Sequence, residues 1–149
     1  MTQSFMDRAL REAEQAAERG EVPVGAVIVD GQTGVVLASN GNRVEADSDP
    51  TAHAEILVIR EAASKLGEPR LETCDLYVTL EPCAMCASAI AHARIRRLYF
   101  GAYDPKGGGV EHGAQVFART TTHHKPEIVG GLDEERCAEV LKRFFRERR

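Results

Sequence analysis

Apolar residues along the chain recur with two periods, one near 3.6 and one near 2, and the switches between them mark the elements. Met6, Ala9, Leu10, Ala13 and Ala17 fall at helical spacing, with Ser4 and Asp7 resembling a capping box and Gly20 offering a stop. Residues 24–29 form a short apolar run rich in Val and Ile, which predicts a buried strand, and the turn at 30–34 leads into a return strand at 35–39. Residues 41–50 read as loop, 53–66 as a helix closed by Gly67, and 75–80 as a third strand. Pro82 opens an Ala-rich helix over 83–93. A strand at 97–100 follows, then a glycine-rich loop at 101–113 whose Gly107, Gly108 and Gly109 read as flexible. A weak strand near 127–129 precedes a final helix that Asp133 caps and that reaches Arg148. The order α-β-β-α-β-α-β-α, with short connections, predicts an α/β fold in which one mixed sheet is covered by helices on both faces. No internal repeat or linker divides the chain, so residues 1–149 are expected to form a single domain.

Composition narrows the class. A chain of 149 residues with 43% hydrophobic and 28% charged residues is ordinary globular usage and argues against disorder. No apolar run approaches the roughly 18 residues of a membrane span. The segment 1–7 lacks a basic region followed by an apolar stretch, which predicts a cytoplasmic protein. The net charge of −4 argues at first against a nucleic-acid partner, yet it is unevenly placed. The last eight residues carry five basic side chains and one acidic, so a +4 tip sits on a −8 body. The four cysteines, Cys74, Cys83, Cys86 and Cys137, are too few for a disulfide scaffold and read as metal ligands or buried thiols.

Two motifs about thirty residues apart carry the chemistry. His53-Ala54-Glu55 and Pro82-Cys83-Ala84-Met85-Cys86 each open a helix. Cys83 and Cys86, three apart, project from one face of a first turn, where the partial positive charge of the helix terminus favours thiolates. Two thiolates and an imidazole give Zn²⁺ three protein ligands and leave a fourth position for water, the count of a catalytic site. Glu55 beside such a water has general acid–base work to do. Positions i and i+2 do not share a helix face, so His53 and Glu55 meet at one metal only if the first turn is irregular. A redox pair, or half of a four-ligand structural zinc site, is the competing reading of Cys83 and Cys86. Cys74 and Cys137, in no ligand-like pair, read as buried thiols.

The H-x-E and P-C-x-x-C pair is the mark of zinc-dependent nucleobase deaminases. Beyond it, EVPVGAV at 21–27, DPTAHAE at 49–55, LYVTLEPCAMC at 76–86, Ala93-Arg94-Ile95, Phe100-Gly101-Ala102 with Asp104 and Lys106, and the ending FFRERR cover nearly the whole chain. In these stretches the sequence resembles the bacterial tRNA adenosine deaminases of the cytidine/deoxycytidylate deaminase superfamily. The resemblance implies a cytidine-deaminase-like three-layer α/β/α sandwich with about five strands, and one Zn²⁺ per subunit on His53, Cys83 and Cys86. It implies hydrolytic deamination of adenosine to inosine at a tRNA wobble position, with a zinc-activated water attacking C6 and Glu55 shuttling protons. Asn42, Val24, Ala54 and Asp104 match substrate-binding positions, although Val24 also reads as core and Asp104 as a turn former in Asp-Pro-Lys-Gly. Lys142, Arg143, Arg146, Arg148 and Arg149 match an RNA-binding helix end, with Phe144 and Phe145 offering core packing or a stacking face. Arg94, Arg96 and Arg97 form a weaker basic cluster. The implied partners are a tRNA anticodon stem-loop, from an arginine tRNA, and a second copy of the chain in a homodimer. A guanine or cytosine deaminase with the same zinc chemistry is the alternative enzyme, and an RNA-binding or zinc-stabilised structural module the non-enzymatic one.

Overall fold

The computed structural model describes residues 2–148; Met1 and Arg149, the latter one of the expected RNA contacts, lie outside the described residues. Four helices, α1 (Thr2–Glu18), α2 (Ala54–Leu66), α3 (Ala84–Ala93) and α4 (Glu134–Glu147), accompany five strands, β1 (Gly25–Asp30), β2 (Val36–Gly41), β3 (Cys74–Leu80), β4 (Arg97–Ala102) and β5 (Glu127–Gly130). The strands form one mixed sheet in the order β2-β1-β3-β4-β5. β1 pairs antiparallel with β2 and β3, while β3, β4 and β5 run parallel.

Period-2 alternation in the strands sends side chains to two separate cores. Ala26 and Ile28 of β1 join Leu76 and Val78 of β3 under α2 and α3, packed by Val58, Ala62, Ala87 and Ile90. Val27, Val29 and Tyr77 face the other way, onto Met6, Leu10 and Ala13 of α1 and Cys137 and Val140 of α4. The result is the expected α/β/α sandwich. Among the described residues no helix is long and apolar enough to cross a membrane.

Boundaries differ from the sequence reading where tertiary pairing decides them. α1 begins at Thr2, so Ser4 falls inside the helix and not at its cap. β4 continues two residues past the expected end at Phe100, because the parallel ladder pairs Ala102 with Leu80 of β3. Gly67 closes α2 as expected, in the left-handed region at φ 64° with its N–H on the carbonyls of Ala63 and Ser64. Arg94 performs the same turn after α3 at φ 59°.

Candidate active site and metal centre

The carboxyl ends of the parallel strands β3 and β4, where open α/β sheets place their ligand crevices, meet the first turns of α2 and α3. His53 is the N-cap of α2, in extended backbone (φ −74°, ψ 150°), and Cys83 is the N-cap of α3 in the same conformation (φ −71°, ψ 174°). Because His53 precedes the helical geometry, its ring and the Glu55 side chain escape the i, i+2 restriction. His53 Nδ1 lies 3.7 Å from Cys83 Sγ and 3.6 Å from Cys86 Sγ, and the three ligand atoms all lie within 4.8 Å of one another. Zn–S bonds of about 2.3 Å and Zn–N bonds of about 2.0 Å at tetrahedral angles require N···S edges of about 3.5 Å. The donor set therefore fits zinc in both type and spacing. No other group of three such ligands occurs among the described residues. Cys74 and Cys137 are free, buried thiols in the two cores, as expected.

The electrostatics suit a cation. A hydrogen bond from the Cys86 thiol outweighs burial and, with His53, brings Cys83 down to about 4. Cys86, as the partner in that pair and buried, is held far above the usual thiol range; a bound metal removes such a proton outright. The bond to Cys83 raises His53. Glu55, only 4% exposed, is pushed up to about 7, first by burial and then by the Cys83 charge.

These groups open onto a cavity of about 480 Å³, whose lining includes Val24, Asn42, His53, Glu55, Cys83 and Asp104. That size lies within the roughly 300–1,000 Å³ of small-molecule sites. Asn42 Oδ1 accepts the Ala54 N–H at 2.8 Å, which fixes the carboxamide and leaves its NH₂ as the free donor. Ala54 is itself fully buried, so its visible service to the cavity is to orient Asn42. Val24 serves as both core and cavity wall. Asp104 Oδ1 accepts the N–H groups of Lys106 and Gly107, the turn-forming role, while the residue still borders the cavity.

Two residues that sequence reasoning passed over hold the rims. Glu21, 2% exposed, accepts the N–H groups of Glu45 and Ala46 and so pins the loop after β2. Glu81 accepts five hydrogen bonds from the loop at 104–112. Burial opposes the Glu81 charge, but the donors of Asp104, His112 and Glu111 prevail and hold its carboxyl below the usual range. No local sequence signal marks Glu81, which directly precedes Pro82 and packs against the run Gly107-Gly108-Gly109 at Gly108. The flexible reading of that run is corrected for Gly108 and Gly109, which are buried. A methyl on Gly109 would lie 2.6 Å from Ala84 N, and one on Gly108 2.5 Å from Glu81 Cδ. Close approach, not mobility, requires glycine there.

At the C-terminal end, Phe144 is buried in the core-packing role, whereas Phe145 is exposed. Lys142, Arg143, Arg146 and Arg148 lie along or just beyond this last helix, and all four are exposed. Arg146 pairs with Glu139 at 3.1 Å, and Arg148 lies 4.5 Å over the Phe144 ring. Arg148 also lies near Gly20, a residue of the cavity lining: a methyl on Gly20 would sit 3.7 Å from Arg148 Nη2. The second basic cluster is largely engaged elsewhere, with Arg96 on Asp75 and Arg97 on Glu127. His124 Nε2 bonds the Ile95 carbonyl at 2.7 Å.

The MafB19-like deaminase family matches residues 1–149. A tRNA-specific adenosine deaminase of Agrobacterium fabrum is 58% identical over 97% of this chain and 94% of its own length. One from Bacillus subtilis is 46% identical over 100% of this chain and 92% of its own. A solved structure from a study of A-to-I editing by tRNA:A34 deaminases at the wobble position superposes with a TM-score of 0.90 at 57% identity, covering 93% of this chain and 99% of that one.

Proposed function

The chain belongs to the tRNA-specific adenosine deaminases of the cytidine deaminase superfamily, which convert adenosine to inosine at the wobble position, and from that premise we propose that His53, Cys83 and Cys86 hold one zinc ion per chain and Glu55 moves the protons. Bound there with a fourth position open, zinc would supply the activated water that attacks C6 of adenine. Glu55 takes a proton from that water and passes it to a ring nitrogen to make the ring electrophilic; it then takes the hydroxyl proton of the C6 adduct and hands it to the amino group, which leaves as ammonia as the C6 carbonyl forms. A buried carboxyl raised toward neutrality is suited to both directions of transfer. The free NH₂ of Asn42 donates to an acceptor on the purine edge, with the bond to Ala54 keeping it aimed. Val24 packs against the base, and the Asp104 turn forms another part of the wall. Direct contact of substrate with the Ala54 N–H requires its bond to Asn42 to give way.

A wobble base is already unpaired, so it enters the cavity without the cost of opening a duplex. Lys142, Arg143, Arg146, Arg148 and Arg149 grip the phosphates of the anticodon stem-loop, and the nearness of Arg148 to Gly20 supports a path from that helix to the cavity. The same family resemblance supports an arginine tRNA as substrate, a homodimer as the working form and the cytoplasm as its place.

The observation that carries the reading is the buried Glu55 opening onto one cavity with three ligand atoms at zinc spacing. Purified protein is to be assayed on an anticodon stem-loop, on free guanine and on free cytosine, with its zinc content measured. Inosine in the stem-loop together with one zinc per chain is expected. Ammonia from guanine or cytosine alone would favour the other deaminases, and zinc without any deamination would favour a structural centre.

A further inference from the structure

Glu81 has no part in the proton transfers assigned above, yet its side chain is fully buried beside the reaction cavity. Its side-chain hydrogen bonds run to the loop at 104–112. Oε1 accepts the Asp104 N–H at 3.0 Å and faces His112 Nδ1 at 2.8 Å, which joins the two ends of the segment. Oε2 accepts three successive N–H groups, of Val110, Glu111 and His112, at 3.2, 2.9 and 3.1 Å. Gly108 lies flat against the same carboxylate, and Gly109 N–H bonds the Pro82 carbonyl at 2.8 Å. The loop is thus wound around a single anion. A buried charge is tolerated only where donors satisfy it, and here the donors belong to the wall that carries Asp104 and Gly107 into the cavity.

We propose that Glu81 is a positioning residue for substrate binding. Its carboxylate holds the 104–112 loop as a preformed wall, so that binding does not have to order it. The inference rests on the cavity being the nucleoside pocket. Glu81→Gln keeps the shape but turns an NH₂ toward the N–H donors, which releases the wall. The metal ligands and Glu55 are untouched by the change.

The test uses zinc-loaded, full-length protein and steady-state kinetics on an anticodon stem-loop. For Glu81→Gln, KM is expected to rise by about tenfold, since binding must then order the released wall. Turnover stays within about threefold and zinc content is unchanged. Amide hydrogen exchange at Glu111 and His112 accelerates, a readout that does not depend on activity. Gly108→Ala attacks the same contact from the loop side and decides the matter if Glu81→Gln does not fold. The two effects on KM are expected to overlap and not add in the double variant. KM within about twofold of wild type for the folded variants overturns the role. So does a loss confined to turnover, or a loss of zinc. Wild-type protein that makes no inosine would remove the reading of the pocket itself, whereas an active wild type with an unaltered variant removes only Glu81.

Discussion

The reaction cavity and the C-terminal helix handle polar groups in opposite ways. Around the cavity the polar side chains that shape it are buried and partnered: Asn42 to Ala54, Glu21 to the β2 loop, Glu81 to five donors. Among the described residues no buried side-chain nitrogen or oxygen lacks a partner. Along α4 the apolar stripe of Cys137, Val140 and Phe144 is buried, and the arginines beyond it stand in solvent. The Arg146–Glu139 pair, with side chains 63% and 55% exposed, contributes at most about 1 kcal/mol. The proposed selection by the cavity therefore works by fixed shape and hydrogen bonding, which salt barely touches. The proposed RNA grip of the helix acts instead by charge, which salt screens.

The cavity side of the contrast breaks first at Glu55. Glu55→Ala is expected to retain zinc and lose turnover by about 10²–10⁴-fold, measured as inosine formed. An active variant would sink the proton-shuttle role. Gly109→Ala tests whether the glycine run is structural. Its new methyl meets the backbone of Ala84 and Cys83, which cannot swing aside as a side chain could, and a cost of about 1–3 kcal/mol should lower the melting temperature. An unchanged melting temperature would restore the flexible reading of the loop. Asn42→Asp keeps an acceptor for the Ala54 N–H and removes the NH₂ donor. KM should rise by roughly tenfold or less, the worth of one hydrogen bond, and that rise should persist in high salt. If KM does not move, Asn42 only ties α2 to β2.

Most of this contrast is legible in the residues themselves. Period and punctuation locate the five strands and four α-helices, because both cores are built from alternating or helically spaced apolar residues. The ligand set is legible because three side chains at two helix starts suffice to describe it. What stays hidden depends on distant partners. Nothing local to Glu81 announces that four N–H groups more than twenty residues away converge on it. Gly108 and Gly109 have the composition of a flexible loop, and it is Glu81, Cys83 and Ala84 packed against them that require glycine there. Likewise Arg96 has the sequence setting of a phosphate-binding side chain, whereas its guanidinium sits on Asp75 at 2.8 Å.

The smallest expected effect lies on the helix and is diagnostic through its salt dependence. Arg143→Gln, Arg146→Gln and Arg148→Gln together remove three charges while keeping part of each aliphatic stem, which spares some of the packing of Arg148 on Phe144. At low salt the triple variant should bind the stem-loop several-fold more weakly. The slope of log affinity against log salt should fall in magnitude by roughly 2, about 0.7 for each single-strand phosphate that is no longer neutralised. Turnover at saturating RNA should hold, because none of the three belongs to the proton shuttle or the ligand set. Near 0.5 M salt, where the screening length is only a few ångströms, wild type and variant should converge. A slope that does not change would mean that the +4 tip is a solvated helix end and that another face of the molecule carries the RNA. A deficit that survives in high salt would mean that the guanidiniums act by packing and not by charge, and the division between shape and charge would then fail on the helix side.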